Sequence, residues 1–273
     1  MNFHKYQALG NTYLILEVDE PPTAAQIRTI CHPSYGVGVD GLIVDSHIDD
    51  PHHFRAQFFN PDGSEAEKSG NGLRIYARYL WDSLEVADES FTIDTTGGRV
   101  YAQVVENGRE VVLQMGEIRL GEPFGEELTL GDHLFTIYTA DAGNPHCVIV
   151  VDEATAELAQ QYGPLIEQDG RFPNRTNVQF VQVVDEQNIR LEIWERGTGY
   201  TLASGTSSCA ATAVLHRLGL CQRQVTVHMP GGMLTISLDE QNHATLRGGV
   251  AKICSGHLSH DLLRTLGLPL PVE

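Results

Sequence analysis

Several features that mark other classes of protein are scarce in this sequence. No apolar run reaches about 18 residues, the length that a membrane-spanning helix needs, and no basic-then-apolar leader is visible at the start. Basic residues are half as numerous as acidic ones, 18 against 36, which gives a formal charge of −18. A charge of that sign argues against nucleic acid or an anionic membrane as a partner. We therefore expect a small-molecule partner.

Cysteine is also sparse, and its pattern excludes two further classes. The five cysteines stand singly and form no CxxC pair. An odd number at wide spacing favours reduced thiols in a cytoplasm over a disulfide framework or a zinc site. We therefore expect a cytoplasmic protein without a metal. The glycine-rich stretch 35–41 does not predict a nucleotide site, because it lacks the last glycine of GxGxxG and precedes a strand rather than a helix.

What the sequence does contain is a segment that occurs twice. Ser69–Leu80 and Ser204–Leu215 each begin with Ser-Gly and continue as an apolar stretch of helical length, 135 residues apart. Gly-Asn turns precede the two serines at nearly equal distances, 58 and 60 residues upstream. Chance similarity of glycine-rich loops is the alternative. The repeat predicts two related domains, residues 1–117 and residues 118–260.

The pattern around each repeat predicts the fold class. Short runs rich in β-branched residues surround each apolar helix, and 273 residues suffice for two domains with separate cores. A long helix with little polar face must be wrapped by a sheet. We predict an α/β (α+β) fold in which each domain is a curled, mostly antiparallel sheet or barrel around a central helix. A further helix is expected over 152–167, capped by an acidic residue.

The two helix starts are candidate anion sites. The first backbone N–H groups of a helix have no partner within it, and small residues leave them uncovered. A substrate carboxylate between the two domains is the expected guest, bound by Gly70, Asn71, Gly205 and Thr206.

Polar residues at turns and strand ends supply further candidates. Arg196 could bind a carboxylate, Glu195 could receive an ammonium group or orient a catalytic group, and His146 could act as a base. An exposed ion pair and a satisfied strand-end histidine are the structural alternatives. Four asparagines could hold an amino-acid backbone, although asparagine is also common in turns for conformational reasons: Asn11, Asn60, Asn144 and Asn177.

Together these motifs resemble diaminopimelate epimerase over nearly the whole chain. The resemblance implies two pseudo-symmetric α/β domains, with the final residues 261–273 returning to the first domain. It also implies no pyridoxal phosphate, no metal, a homodimer and a role in lysine biosynthesis. The motifs that carry it are Leu9-Gly10-Asn11, Gly36–Gly41, Phe59–Glu65, Ser69–Gly72, Gly143–Cys147, Asn174–Asn177, Glu195–Gly199 and Ser204–Thr206.

The chain departs from the family where the chemistry is expected. In that family two cysteines move the α-proton from opposite faces, and the matching positions here are Ser69 and Ser204. A serine hydroxyl is a far weaker acid than a thiol and needs an adjacent base. His146, Glu195 or a bound water would have to activate the serines. The binding positions are retained, whereas Tyr200 and Gly41 also differ from the family pattern and suggest a changed pocket rim.

Three functions remain open at this stage. The first is a cofactor-independent amino-acid epimerase or racemase that acts on diaminopimelate or a similar α-amino acid. The second is a diverged isomerase or elimination enzyme that uses a different base. The third is a non-catalytic amino-acid-binding protein, whether natural or produced by cysteine-to-serine substitution.

Overall fold

The computed structural model describes residues 1–18, 20–46, 52–84 and 89–269. Backbone contacts divide the chain into two compact units. Unit 1 comprises residues 1–111 and the chain from Val250 onward, and unit 2 comprises Val112–Gly249. The last four residues of the returning segment expected at 261–273 lie outside the described residues.

The first part of unit 1 alternates strands with two helices. The second helix begins directly after Ser69, as the repeat predicts, and it runs three residues past the expected end at Trp81. The elements are β1 (Asn2–Ala8), β2 (Asn11–Leu16), α1 (Ala24–Cys31), β3 (Gly41–Ser46), β4 (His53–Phe59), β5 (Glu65–Ala66), α2 (Gly70–Leu84), β6 (Phe91–Thr95) and β7 (Gly98–Val105). Strand β8 (Glu110–Glu117) begins in unit 1 and continues into unit 2 after Val111.

Unit 2 contains two helices among its strands. Its elements are β9 (Arg119–Leu120), β10 (Glu126–Leu130), β11 (His133–Asp141), β12 (Pro145–Val150), α3 (Ala156–Glu167), β13 (Asn177–Asp185), β14 (Asn188–Glu195), β15 (Gly199–Thr201), α4 (Gly205–Arg217), β16 (Gln224–Met229), β17 (Gly232–Leu238) and β18 (His243–Gly249). The chain then returns to unit 1 with β19 (Ala251–His257) and α5 (His260–Leu266).

In unit 1, α2 is the central helix. Most of its side chains are buried, and it contacts β1, β2, β3 and β7. Strand β1 lies antiparallel between β2 and β19, whereas β3 runs parallel to β2. A second layer forms where α1 and α5 pack together, and there the Gln26 side chain donates to the Leu266 carbonyl over 2.8 Å. The sheet therefore surrounds α2. The loop that follows β5 leads directly into the start of this helix.

In unit 2 the sheet has a helix on each face. Residues 205–215 of α4 are all buried, and this helix contacts β11, β12, β13, β17 and β18. Cys209 lies fully buried within it, facing the core as expected. Helix α3 packs on the opposite face, against β13, β14 and β15. Successive residues of a strand point to opposite faces, so alternate side chains of β13 and β14 face α4 and α3.

The start of α3 differs from expectation. The cap is Thr155 rather than an acidic residue at 152, and its hydroxyl accepts the N–H of Leu158 over 3.3 Å. A threonine hydroxyl, like a carboxylate, can accept an unpaired N–H at a helix start. The fold class expected from the sequence is confirmed: mixed α/β, with a large curled sheet and few helices.

Candidate functional site

The start of α2 centres on Ser69. Its backbone carbonyl accepts the N–H of Leu73 over 2.8 Å, and its hydroxyl oxygen accepts the N–H of Gly72 over 3.0 Å. Ser69 therefore caps the helix. The hydroxyl of Tyr13, from β2, lies 3.1 Å from the same oxygen. Sequence reasoning missed Tyr13, because its contact depends on the spatial approach of residues 56 positions apart.

The next residues of α2 also have structural partners. The amide oxygen of Asn71 accepts a hydrogen bond of 2.8 Å from the guanidinium of Arg74, which also donates to the carbonyl of Gly70. Arg74 is fully buried. Asn71, expected to bind substrate, thus holds a buried cation beneath the helix start.

Two of the four candidate asparagines belong to unit 1. Asn11 begins β2, directly after the turn at Leu9 and Gly10, both of which have positive φ. Asn60 follows β4, and its amide nitrogen donates to the hydroxyl of Ser64 over 3.0 Å. These contacts fix the turn at 60–64.

The start of α4 is arranged differently. Ser204 is the N-cap residue by backbone geometry, but its side chain makes no capping hydrogen bond. Its hydroxyl bonds instead to the carboxylate of Glu195 at the end of β14. Burial raises the pKa of Glu195, and the Ser204 hydrogen bond opposes that shift. The residue is half-buried. A serine and a carboxylate of increased basicity thus stand together at a helix start.

The two serines therefore have different chemical surroundings, although their sequence contexts match. The Ser69 oxygen receives a backbone N–H and lies beside a phenol, whereas the Ser204 hydroxyl donates to a carboxylate. Only the second arrangement places a base beside the hydroxyl. The sequence signal for it was present, since Glu195 precedes Ser204 by nine residues at the end of an apolar strand.

Asn177 organises the loop that carries Arg196. Its amide oxygen accepts the backbone N–H of Arg196 over 2.9 Å, and its amide nitrogen donates to the carbonyl of Pro145 over 2.9 Å. Both ends of the amide therefore connect parts of unit 2. The Arg196 guanidinium is half-buried and donates to the carbonyl of Asn174 over 3.4 Å. Asn177 consequently positions the Glu195–Arg196 pair.

His146 lies buried on β12. Its Nε2 is 2.8 Å from the amide oxygen of Asn144, which can only accept, so Nε2 carries the proton. Burial lowers the pKa of His146 to about 3, and the ring is neutral near pH 7. Asp141 and Gln179 oppose that shift in the pKa, and Gln179, fully buried on β13, donates to the hydroxyl of Ser207 over 3.0 Å. The sequence signal for Gln179 was the position of its polar side chain within the largely apolar run 178–184.

Glu167, at the end of α3, is a second residue that sequence reasoning missed. Its carboxylate accepts the indole N–H of Trp194 over 2.7 Å and the backbone N–H of Gly197 over 3.0 Å, and it pairs with Arg175. The residue is 2% exposed. An acidic residue in the last turn of a helix opposes the helix dipole, which was the sequence signal. Glu167 therefore binds residues on both sides of the Glu195–Arg196 pair.

Tyr200 does not alter a pocket rim in the expected way. Its hydroxyl donates to Glu192 over 2.7 Å, and its ring packs in the cluster between α3 and the sheet. Glu192 and Trp194 share this face of β14, whereas Glu195 lies on the other face, because side chains alternate along a strand. Tyr200 therefore supports the α3 layer.

The described residues contain no cluster of three or more His, Cys, Asp or Glu that could hold a metal ion. Of the five cysteines, Cys254 is exposed and the other four are buried. Within the described ranges, no helix has both the length and the apolar character needed to cross a membrane.

Comparison with known proteins gives a consistent result. The family model described as diaminopimelate epimerase matches residues 3–121 and 138–253. "Diaminopimelate epimerase 2" of Nostoc sp. is 44% identical over 96% of this chain and 97% of its own length. Diaminopimelate epimerase of Pelotomaculum thermopropionicum is 37% identical over 94% and 98%. A solved structure described as a probable proline racemase from Agrobacterium radiobacter has a TM-score of 0.75 at 14% identity, covering 95% and 93%, and supports the fold.

Proposed function

Because the chain belongs to the diaminopimelate epimerase family, we propose that it is a cofactor-independent amino-acid epimerase or racemase. The observation that carries the proposal is the hydrogen bond from Ser204 to Glu195 at the start of α4. It places a base behind one of the two serines that occupy the family's cysteine positions. The family consists of isomerases, which supports the reaction type. The hydrogen bond between Ser204 and Glu195 supports Glu195 as the base.

Proton removal in this proposal uses Ser204 and Glu195 as a pair. The substrate Cα–H proton passes to the Ser204 oxygen while the Ser204 proton passes to the Glu195 carboxylate. The raised pKa of Glu195 makes this carboxylate a stronger base than an exposed one. His146 is less suited to the role, because a ring with a pKa of about 3 binds a proton weakly. We assign His146 to positioning, together with Asn144.

The helix start supplies the charge stabilisation that the proposal needs. Loss of the α-proton places negative charge on the substrate carboxylate, and the N–H groups of Gly205 and Thr206 lie at the positive end of α4. Gly70 and Asn71 offer the equivalent donors at the start of α2. We propose that both half-sites act on one α-amino acid, with Arg196, Asn11 and Asn60 binding its polar groups. Diaminopimelate, or an amino acid with a similar second polar centre, is the proposed substrate.

The test is α-proton exchange with a matched pair of variants. Purified protein is incubated with L,L-diaminopimelate in D₂O, and α-deuterium is followed by NMR. Glu195→Gln should lower exchange by about 100-fold or more, since it removes the base. Glu192→Gln is the control, because Glu192 lies on the same strand but faces α3. Equal rates in the two variants would refute the assignment of Glu195, and absence of exchange in the wild type would refute this substrate.

A second candidate follows from the asymmetry of the serines. One half-site has a carboxylate and the other a phenol, which also suits a one-base isomerase or an elimination enzyme. Such an enzyme would exchange the α-proton with retention of configuration, or release water from a β-hydroxy amino acid. Chiral chromatography of the deuterated product and an assay for the keto acid separate these outcomes from epimerisation. Tight amino-acid binding with no exchange would favour a non-catalytic role.

The family also suggests a setting for the reaction. Action on diaminopimelate would place it in lysine biosynthesis, and we propose a cytoplasmic homodimer. Light scattering coupled to size-exclusion chromatography measures the oligomeric state directly.

A further inference from the structure

The contact between Tyr13 and Ser69 is built into unit 1. Tyr13 is 6% exposed, and its hydroxyl lies 3.1 Å from the Ser69 oxygen. That oxygen also accepts the N–H of Gly72 over 3.0 Å. The serine that replaces a family cysteine thus has two neighbours, one from the helix that follows it and one from β2.

Gly41 makes room for this tyrosine. Gly41 faces Tyr13 across the parallel pair of β2 and β3, and a Cβ at position 41 would lie 2.3 Å from Tyr13 Cε1 and 2.8 Å from Cζ. The backbone at Gly41 does not require glycine, because its φ is outside the left-handed region. The ring does. Gly41, which departs from the family pattern, therefore leaves the space that the Tyr13 ring occupies.

A polar clamp fixes the two strands beside the ring. The Asp40 carboxylate accepts both the backbone N–H and the hydroxyl of Thr12, each over 2.8 Å, and the Asp40 N–H donates to the Thr12 carbonyl. These bonds hold the residues that precede Tyr13 and Gly41. The phenol consequently approaches Ser69 from a constrained strand rather than from a loose loop.

The chemistry of the hydroxyl follows from its partners. A serine oxygen has one proton and two lone pairs, and the N–H of Gly72 takes one lone pair. A phenol is a stronger acid than an aliphatic alcohol, with an ordinary pKa of about 10. We therefore assign Tyr13, the stronger acid, as the donor to the second lone pair, which leaves the Ser69 proton pointing away from both neighbours. Ser69 becomes a donor, in contrast to Ser204, whose proton goes to Glu195 and whose lone pairs stay available.

We propose that Tyr13 is a positioning residue that makes Ser69 the proton donor of the first half-site. This inference rests on the proposed function. In the forward step, the Ser69 proton passes to the carbanion and forms the new C–H bond, while the Tyr13 proton passes to the Ser69 oxygen. The tyrosinate then recovers a proton from water. The phenol thereby supplies an acid much closer in strength to the family's thiol, near 8.5, than serine alone could.

Tyr13→Phe tests the proposal in the reaction. The ring and its packing are kept, and only the hydroxyl is lost. Epimerisation should fall by about 10- to 100-fold in kcat with little change in KM. Deuterium exchange with retention should persist, since Ser204 and Glu195 are intact. Tyr101→Phe, at an exposed tyrosine of unit 1, is the control. An unchanged kcat and pH profile in Tyr13→Phe would overturn the proposal.

A second measurement does not depend on turnover. Ser69→Cys is prepared with Tyr13 intact and with Tyr13→Phe, and alkylation of the introduced thiol is followed against pH by peptide mass spectrometry. A donated hydrogen bond favours the thiolate, so Tyr13 should lower the thiol pKa by about one unit. Identical alkylation profiles would overturn the positioning role. A shifted profile in a protein that exchanges no amino acid would leave Tyr13 supported and reject the proposed reaction instead.

Discussion

Burial has opposite effects on the acidic and basic groups of unit 2 at the scale of single residues. It raises the pKa of Glu195 and of Glu192 and lowers that of His146 to about 3. In each case the neutral form is favoured, because removal from water penalises the charged form. For Glu195 the result is a better base. For His146 the result is a ring that stays neutral while it holds Asn144.

The depressed pKa of His146 predicts sensitivity to acid. Between its ordinary pKa of 6.5 and about 3, the unfolded chain binds a proton that the folded chain does not. The free energy of unfolding therefore keeps its full value above pH 6.5. It decreases as the pH falls, by about 2 kcal/mol at pH 5. Urea unfolding at pH 7.5 and pH 5 measures this loss, which should shrink in His146→Gln. His133→Gln, at an exposed histidine, should keep the wild-type dependence.

At the scale of elements, the end of α3 controls the loop between β14 and β15. Glu167 accepts hydrogen bonds from Trp194 and Gly197, on either side of the Glu195–Arg196 pair, and pairs with Arg175. Asn177 holds the same loop through the backbone N–H of Arg196. The position of Glu195, the proposed base, therefore depends on a helix that packs on the other face of its sheet.

Removing the Glu167 carboxylate should affect both stability and catalysis. Glu167→Ala leaves the indole, a backbone N–H and Arg175 without their acceptor, and we expect a loss of about 3 kcal/mol in the free energy of unfolding. Because the loop carries Glu195, α-proton exchange should fall as well. Chemical denaturation and the deuterium assay measure the two effects. Glu153→Gln, at an exposed site before α3, should change neither. Normal exchange in Glu167→Ala would contradict the proposed coupling.

Some elements could be predicted from the sequence more reliably than others. The starts of α2 and α4 were predicted correctly, because Ser-Gly followed by an apolar run is a strong local signal. A strand pair or a single strand is expected over 244–253, and the structure has two strands, β18 and β19, divided at Val250 directly after Gly248-Gly249. Contacts such as Tyr13 with Gly41 depend on strand register, which joins residues far apart in the sequence.

At the scale of the whole molecule, the repeat predicts that catalysis needs both halves. Restoring the family's residues with Ser69→Cys and Ser204→Cys together should raise α-proton exchange on a diamino acid about 10-fold or more, because a thiol needs less assistance than a serine. Either substitution alone should give little, since inversion requires a base on one face and an acid on the other. NMR in D₂O compares the four proteins. A folded double variant that binds substrate without faster exchange would indicate a site rebuilt for other chemistry.

The pairing of β1 with β19 also determines when unit 1 can be completed during synthesis. The register joins Asn2 to His257 and Gln7 to Ala251, so the second strand of this pair is translated after all of unit 2. Residues 112–249 are contiguous and can fold as they emerge, whereas β1 must wait for its neighbour on the ribosome. Pulse proteolysis of stalled nascent chains should therefore find unit 2 protected first. Unit 1 should acquire protection only after residue 257 has left the exit tunnel.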